Sequence, residues 1–279
     1  MSQDNKWSIQ ELIARYELEP ELLDVFVEGS FDREVLSHSS ASRRERQTFY
    51  EVDSVDVPGA ILARYGLTSG NKQRVIALSR ELACLPPSAK VVCLADRDLD
   101  HWFDEVKATP RLKWTAFCSL ESHFLTNDII MDIAITTGRA KIKRFEEFTE
   151  SLLGVLRQLY ALRLADRQLQ LSLSWVALRK YLTRVDDAIA FDAPKYVVAL
   201  LTSNSKGSWK DRYETAINGW TKKLTCDIRH SSRGHDYTAL LAWSISEFGG
   251  QKELANEVAV ERLFVLLARS VATLSTELQ

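Results

Sequence analysis

The sequence predicts an α/β fold, with a largely parallel sheet flanked by helices over residues 1–128 and a helix-rich C-terminal domain over 129–279. Three observations carry that prediction. Apolar runs of strand length at 22–27, 91–95 and 112–120 read as strands buried on at least one face, and the run at 91–95 reads as buried on both. Amphipathic stretches of helical period fall between the earlier strands, giving the strand–helix order of an α/β layer. Beyond about residue 128, apolar residues recur at helical spacing in one run after another.

The elements follow in order. Residues 8–18 form a short amphipathic helix with Ile9, Leu12, Ile13 and Tyr16 on one face, and Trp7 ahead of it is an anchor. The first strand, 22–27, is closed by Glu28 and Gly29, and 30–38 is helical, with Ser30 as its cap and Asp32 in the first turn, where a carboxylate favours the positive end of the helix. Residues 37–47 are an exposed, arginine-bearing connection. Alternation at 48–57 predicts a second strand, stopped by Pro58-Gly59. A Gly70-Asn71 turn leads into the helix 73–85, and Lys72 at its start is either a solvated helix-entry lysine or a phosphate contact. The run 91–95 is the third strand, 101–111 a polar loop or short helix, and 112–120 the fourth strand, closed by Glu121. Helices are then expected over 143–167, 169–185, 211–224, 235–248 and 256–274.

The length of 279 residues, with 46% hydrophobic and 27% charged, supplies enough core for one large domain or two modest ones. No apolar run is long enough to cross a membrane, and the polar start MSQDNKWSIQ lacks a signal-peptide core, so a cytoplasmic protein is expected. Cys84, Cys93, Cys118 and Cys226 are scattered, with no spacing suited to zinc, and are expected to be reduced and buried. A net charge of −2 argues against indiscriminate attraction to nucleic acid. Basic groups do cluster locally, at Arg43, Arg44 and Arg46, at Lys141, Lys143 and Arg144, at Lys206, Lys210 and Arg212, at Lys222 and Lys223, and at Arg229, His230 and Arg233.

The chemistry-bearing pattern is acidic. Glu28, Asp96, Asp98 and Glu121 all fall at predicted carboxyl ends of strands, which is where open α/β sheets bind ligands. In an extended chain, residues two apart point the same way, so Asp96 and Asp98 would present oxygens to one hard cation such as Mg²⁺. Carboxylates gathered without lysine partners repel one another unless a divalent cation lies between them. Asp100 lies outside the pair and is expected to be peripheral or solvated. The segment Arg233-Gly234-His235-Asp236 precedes a helical run, where either His235 and Asp236 cap the helix or Arg233 and His235 lie over the acidic crevice and contact a phosphate.

These residues resemble a known family. Glu28-Gly29 after one strand and Asp96-x-Asp98 after a later one, with a glycine-bearing turn between, resemble the TOPRIM domain of topoisomerases and primases. The pattern VEGxxD, DxD and SxE of the TOPRIM nucleases of the OLD group reads here Val27-Glu28-Gly29-Ser30-Phe31-Asp32, Asp96-Arg97-Asp98 and Ser119-Leu120-Glu121. The wording DRDLD, the segment SLESHFL and the RGHD motif are similar to the stand-alone TOPRIM effectors encoded beside an ABC-type ATPase in anti-phage defence of the PARIS type. The specific motifs cover 22–128, and only RGHD reaches into the helical half.

The resemblance implies a Mg²⁺-dependent endonuclease, with Mn²⁺ as an alternative ion, acting on RNA such as tRNA or on DNA and held silent by an ABC-type ATPase. A homodimer on activation is compatible with it. Catalysis would fall to Glu28, Asp96, Asp98 and Glu121, with Lys72 at the scissile phosphate. Glu28, Asp32, Asp96, Asp98, Ser119 and Glu121 would hold metal, and Arg233, His235, Lys141 and Lys143 would grip nucleic acid. The downstream lysine of OLD nucleases has no assigned counterpart here. No GxxxxGK[ST] sequence occurs, so any ATPase activity must come from a partner. The residues alone also allow a non-catalytic module of the same fold that binds an ATPase or nucleic acid.

Overall fold

The computed structural model describes residues 6–41, 47–107 and 109–278; the basic group Arg43, Arg44 and Arg46 lies outside the described residues. A two-residue strand β1 (Trp7–Ser8) leads into α1 (Ile9–Leu18), which starts where the sequence places it because Ser8 and Glu11 cap reciprocally. The Ser8 N–H donates to Glu11 Oε2 at 2.7 Å, and the Glu11 N–H donates to Ser8 Oγ at 3.2 Å. Ile9, Leu12 and Tyr16 of α1 are buried. Tyr16 donates its hydroxyl to Asp24 Oδ2 at 3.0 Å, and Arg15 pairs with the same oxygen at 3.2 Å. Asp24 is thereby tolerated within a strand of the core, although burial still pushes its carboxyl up against the pull of Tyr16 and Arg15.

That strand is β2 (Leu23–Val27), followed by α2 (Ser30–Ser40), β3 (Gln47–Glu51), a two-residue β4 (Val55–Asp56), α3 (Gly59–Arg64), α4 (Asn71–Glu81), β5 (Val92–Ala95) and β6 (Leu112–Trp114). The main sheet has the order β3-β2-β5-β6, and every neighbouring pair in it is parallel. Val25 lies opposite Phe49 on one side and Val92 on the other. The fold is therefore α/β, with a parallel sheet flanked by helices and a helical C-terminal part, as the sequence predicts. No helix among the described residues is long and apolar enough to cross a membrane.

Residues 1–120 and 264–279 form one unit, and residues 121–263 form the other. The division thus falls at 120/121 rather than 128/129, and the last residues belong with the sheet. Ring contact explains the latter: Phe264 lies edge-on to Phe31, with ring centroids 6.4 Å apart. The Ala116 N–H also donates to Glu277 Oε1 at 2.7 Å.

The second unit contains α5 (Asn127–Met131), α6 (Phe145–Leu169), a hairpin of β7 (Leu182–Val185) and β8 (Ala188–Phe191), α7 (Ala193–Ser203), α8 (Lys210–Lys223) and α9 (Gly234–Glu247). α10 (Glu257–Leu267) runs across the division. The long α6 buries Leu152, Leu156, Leu159 and Leu164 and receives the Tyr213 hydroxyl of α8 on the Leu162 carbonyl at 2.9 Å.

Several sequence expectations are corrected. The stretch 169–185 is not a helix. Gln170 adopts a left-handed conformation (φ 53°) that ends α6, and Asp186 (φ 53°) turns the β7–β8 hairpin. The helix at 256–274 stops at Leu267, where the Ser270 hydroxyl takes the Leu267 carbonyl at 2.7 Å and competes with the helical ladder. The second strand is interrupted at Val52–Ser54 by a helical turn. The fourth strand ends at Trp114, six residues before its expected end at 120, because Thr115 bends the chain back by donating its hydroxyl to the Phe117 carbonyl at 2.9 Å. Cys93 and Cys118 are buried as expected, but Cys84 is exposed and Cys226 half-buried.

Candidate functional site

The order β3-β2-β5-β6 means that the chain leaves β2 to one side and returns to pair with its other side through β5. In an open parallel sheet that reversal opens a crevice beyond the carboxyl ends of the two strands, the usual place for a ligand. Glu28 follows β2 and Asp96 follows β5, so the sequence puts a carboxylate on each lip. They are also joined directly: the Asp96 N–H donates to Glu28 Oε1 at 2.9 Å. The start of α4 is tied to the same place, since Asn71 Nδ2 donates to the Glu28 carbonyl at 2.8 Å. Gly70, at φ 122°, makes the turn into α4 in a conformation open to glycine.

Beyond Asp96 the chain is not extended. Asp98 is left-handed, with φ 44°, a conformation that aspartate tolerates better than most residues. The two aspartates therefore do not present themselves as alternate residues of a strand. The loop is held instead by its neighbour. The Asp98 N–H donates to the Cys118 carbonyl at 2.8 Å, the Arg97 N–H to Thr115 Oγ1 at 3.1 Å, and the Thr115 N–H to the Ala95 carbonyl at 3.0 Å.

Lys72, expected at a phosphate, stands among these acids and pairs with them, a pairing the sequence reading did not anticipate. Lys72 Nζ lies 3.0 Å from Asp98 Oδ2 and 2.8 Å from Asp100 Oδ2, and 5.6 Å from the ring centre of Trp114. Asp100, expected to be peripheral or solvated, is buried at 9% exposure and forms part of this group. Burial works against the Lys72 ammonium, but the charges of Asp98 and Asp100 outweigh it and hold its pKa above the ordinary value. Asp32, expected as a ligand, accepts the Gly29 N–H at 3.2 Å and so caps α2. Gly29, not Ser30, occupies the cap position.

Ser119 is 3% exposed, and its hydroxyl finds no hydrogen-bond partner among the described residues. It follows Cys118, whose carbonyl takes the Asp98 N–H. The donors of this unit, the carboxylates of Glu28, Asp96 and Asp98 with an unsatisfied buried hydroxyl one residue from the Asp98 contact, are all oxygen. Such a set fits Mg²⁺ or Mn²⁺ and does not fit a soft metal. No group of three or more metal-ligating side chains is drawn together among the described residues; the cation between Asp98 and Asp100 is the Lys72 ammonium.

Glu121 lies in the second unit, on a helical turn spanning Leu120–Phe124 rather than at a strand end. It is 8% exposed, and its carboxylate rests against Gly234, the first residue of α9. A Cβ at position 234 would fall 2.3 Å from Glu121 Cδ, so the glycine of RGHD makes room for this carboxylate at a helix start, where negative charge is favoured. Glu261 of α10 shares the neighbourhood. Burial first, and the Glu121 charge second, push its carboxyl up, with His235 opposing them.

Neither His235 nor Asp236 caps α9, because Arg233 holds that position. Asp236 is the bidentate partner of Arg163, with Nε to Oδ2 at 2.7 Å and Nη2 to Oδ1 at 2.6 Å. The Arg163 guanidinium in turn stacks 4.1 Å from the Trp175 ring centre. Arg233 is half-buried and His235 exposed. Lys141 and Lys143 are exposed at the entry to α6, where the backbone N–H of Lys143 donates to Asp187 Oδ1 at 3.2 Å.

No protein-family model matches this chain, and no curated protein matches it.

Sequence reasoning missed three participants: Asp100, Trp114 and Glu261. Asp100 carried a signal, since DRDLD repeats its acids at alternate positions, but only the fold shows that Lys72 reaches the third of them. Trp114 and Glu261 sit on strand and helix stripes that read as packing.

Proposed function

We propose that the chain is a metal-dependent phosphodiesterase of the TOPRIM type that cleaves nucleic acid, RNA such as tRNA in preference to DNA, and acts in anti-phage defence under the control of an ABC-type ATPase. The observation that carries this reading is the pairing of Glu28 and Asp96 across the two strands that flank the switch point of a parallel sheet. It supports the order of acidic motifs through which the sequence resembles TOPRIM nucleases. Glu28, Asp96 and Asp98 would hold Mg²⁺ or Mn²⁺, with Ser119 orienting a ligand. The ion would supply charge neutralisation at the phosphate and acidify a water. Glu28, which accepts the Asp96 N–H, would hold or move a proton at its carboxylate. In the second unit, Glu121 would contribute to a further metal position, and the exposed cations Lys141, Lys143 and His235, with Arg233, would contact phosphates.

A second reading is a non-catalytic module of the same fold that binds an ATPase or nucleic acid. One observation favours it: Lys72 already pairs with Asp98 and Asp100, so the acidic loop carries a counter-ion of its own and offsets one of its two charges without an added ion.

Substitution separates the two readings. Glu28→Ala should lower cleavage of RNA and DNA by at least about 100-fold, the scale of one acid/base group, while leaving thermal melting close to that of the parent. Equal cleavage by parent and variant in matched Mg²⁺ removes Glu28 from the chemistry. Cleavage by neither, in both Mg²⁺ and Mn²⁺ and with the ATPase partner triggered, favours the module.

A further inference from the structure

The position of Lys72 goes beyond neutralisation. Its ammonium is shared between two carboxylates of different standing. Asp98 belongs to the pair on the crevice lip and keeps 35% of its side chain exposed, whereas Asp100 keeps 12% and Lys72 itself 14%. Trp114, on the adjacent strand β6, presents its ring to the same ammonium at 5.6 Å. One end of this arrangement is closed and the other is open to an incoming ion. A lysine ammonium is also a point charge on a flexible stem, able to change partner without breaking a fixed fork of hydrogen bonds.

We infer that Lys72 is a displaceable internal counter-ion: it holds the acidic loop while no divalent cation is bound, and withdraws onto Asp100 and the Trp114 ring when a cation takes Asp98. The inference rests on the proposed metal centre and adds a regulatory element to it. Asp100 is then a positioning residue, the carboxylate that retains the lysine. The left-handed Asp98 is kept in place between cation-bound and cation-free states by the Cys118 carbonyl, at 2.8 Å from its N–H, rather than by the ion alone. The chain would thus remain folded without metal, and metal uptake would be set by competition with a tethered cation.

Calorimetric titration of Mn²⁺ into the full chain tests this, with Lys72→Met, Asp100→Asn and the double variant measured alongside and thermal melting as the control for folding. Lys72→Met should bind Mn²⁺ about tenfold more tightly than the parent, within the ordinary range of coupling between two ligands. Asp100→Asn should bind about tenfold more weakly, because the lysine loses its second partner. In the K72M background the same Asp100 substitution should cost markedly less, since no lysine remains to be rehoused. An equal cost in both backgrounds shows a simple charge effect and overturns the hand-over. Equal affinity of parent and Lys72→Met overturns the inference while leaving the metal centre standing, whereas no Mn²⁺ uptake by either overturns both. If Lys72→Met does not fold, Lys72→Arg carries the test. It preserves charge but grips carboxylates through a fork, so it should bind Mn²⁺ more weakly than the parent, and unchanged affinity counts against the proposal.

Discussion

Two partly buried cation–carboxylate groups, one in each unit, show how similar charges can be put to different use. In the second unit, Arg163 closes on Asp236 with two short parallel hydrogen bonds and stacks on Trp175. In the first, Lys72 divides its charge between Asp98 and Asp100 and only approaches Trp114. A bidentate guanidinium fork fixes geometry, whereas a shared ammonium leaves the partner open to exchange. The comparison separates two aspartates of the motifs: Asp236 of RGHD, read from the sequence as a candidate helix cap, is a structural tie to Arg163, whereas Asp98 of DRDLD shares its lysine with Asp100.

The largest expected effect breaks the closed group. Arg163→Ala leaves the Asp236 carboxylate buried without its cation and should destabilise the chain by about 3–5 kcal/mol, read as a loss of denaturant midpoint. Replacing both partners, as in Arg163→Met with Asp236→Leu, should recover a large part of that loss. A smaller effect is expected where α9 begins. Gly234→Ala presses a methyl group onto the Glu121 carboxylate and should cost about 1 kcal/mol, the low end of overpacking in a buried site. The cost should fall sharply in the Glu121→Ala background, because the three nearest atoms to the added methyl group all belong to Glu121.

The smallest effect depends on pH. Burial and the Glu121 charge, opposed by His235 and with Glu257 and Arg262 also near, raise the Glu261 pKa from its ordinary 4.5. A carboxyl whose folded pKa is raised favours the neutral form, so its contribution is complete below the unfolded value and is lost as pH rises through the folded one. Glu261→Gln is neutral throughout. It should melt slightly above the parent at neutral pH, and that gap should close below pH 4.5.

The parallel sheet was legible because its strands are short apolar runs closed by acids, and α1 because Ser8 and Glu11 spell a capping box. Strand ends were less legible. The run 112–120 stays apolar past Trp114, and only the Thr115 hydrogen bonds, one local to Phe117 and one from Arg97 brought close by folding, show where pairing stops. Glu121 was misplaced for that reason. The hairpin at Leu182–Phe191 was hidden by leucines at near-helical spacing, although Asp186-Asp187 marked its turn. Helix α7 was missed despite the Asp192 cap and the proline after it. In the candidate site, the positions of Glu28 and Asp96 after their strands were readable from the sequence, whereas the left-handed turn at Asp98 was not. The link from Lys72 to Asp98 and Asp100 spans α4, β5 and the loop between, and no local pattern encodes it.

The most direct test of the central claim is diffraction from crystals of the full chain grown with Mn²⁺ and measured at the manganese absorption edge. The account predicts an anomalous peak among the carboxylates of Glu28, Asp96 and Asp98, with Lys72 turned toward Asp100. A chain that binds Mn²⁺ elsewhere, or not at all, with Lys72 still shared between Asp98 and Asp100, contradicts it.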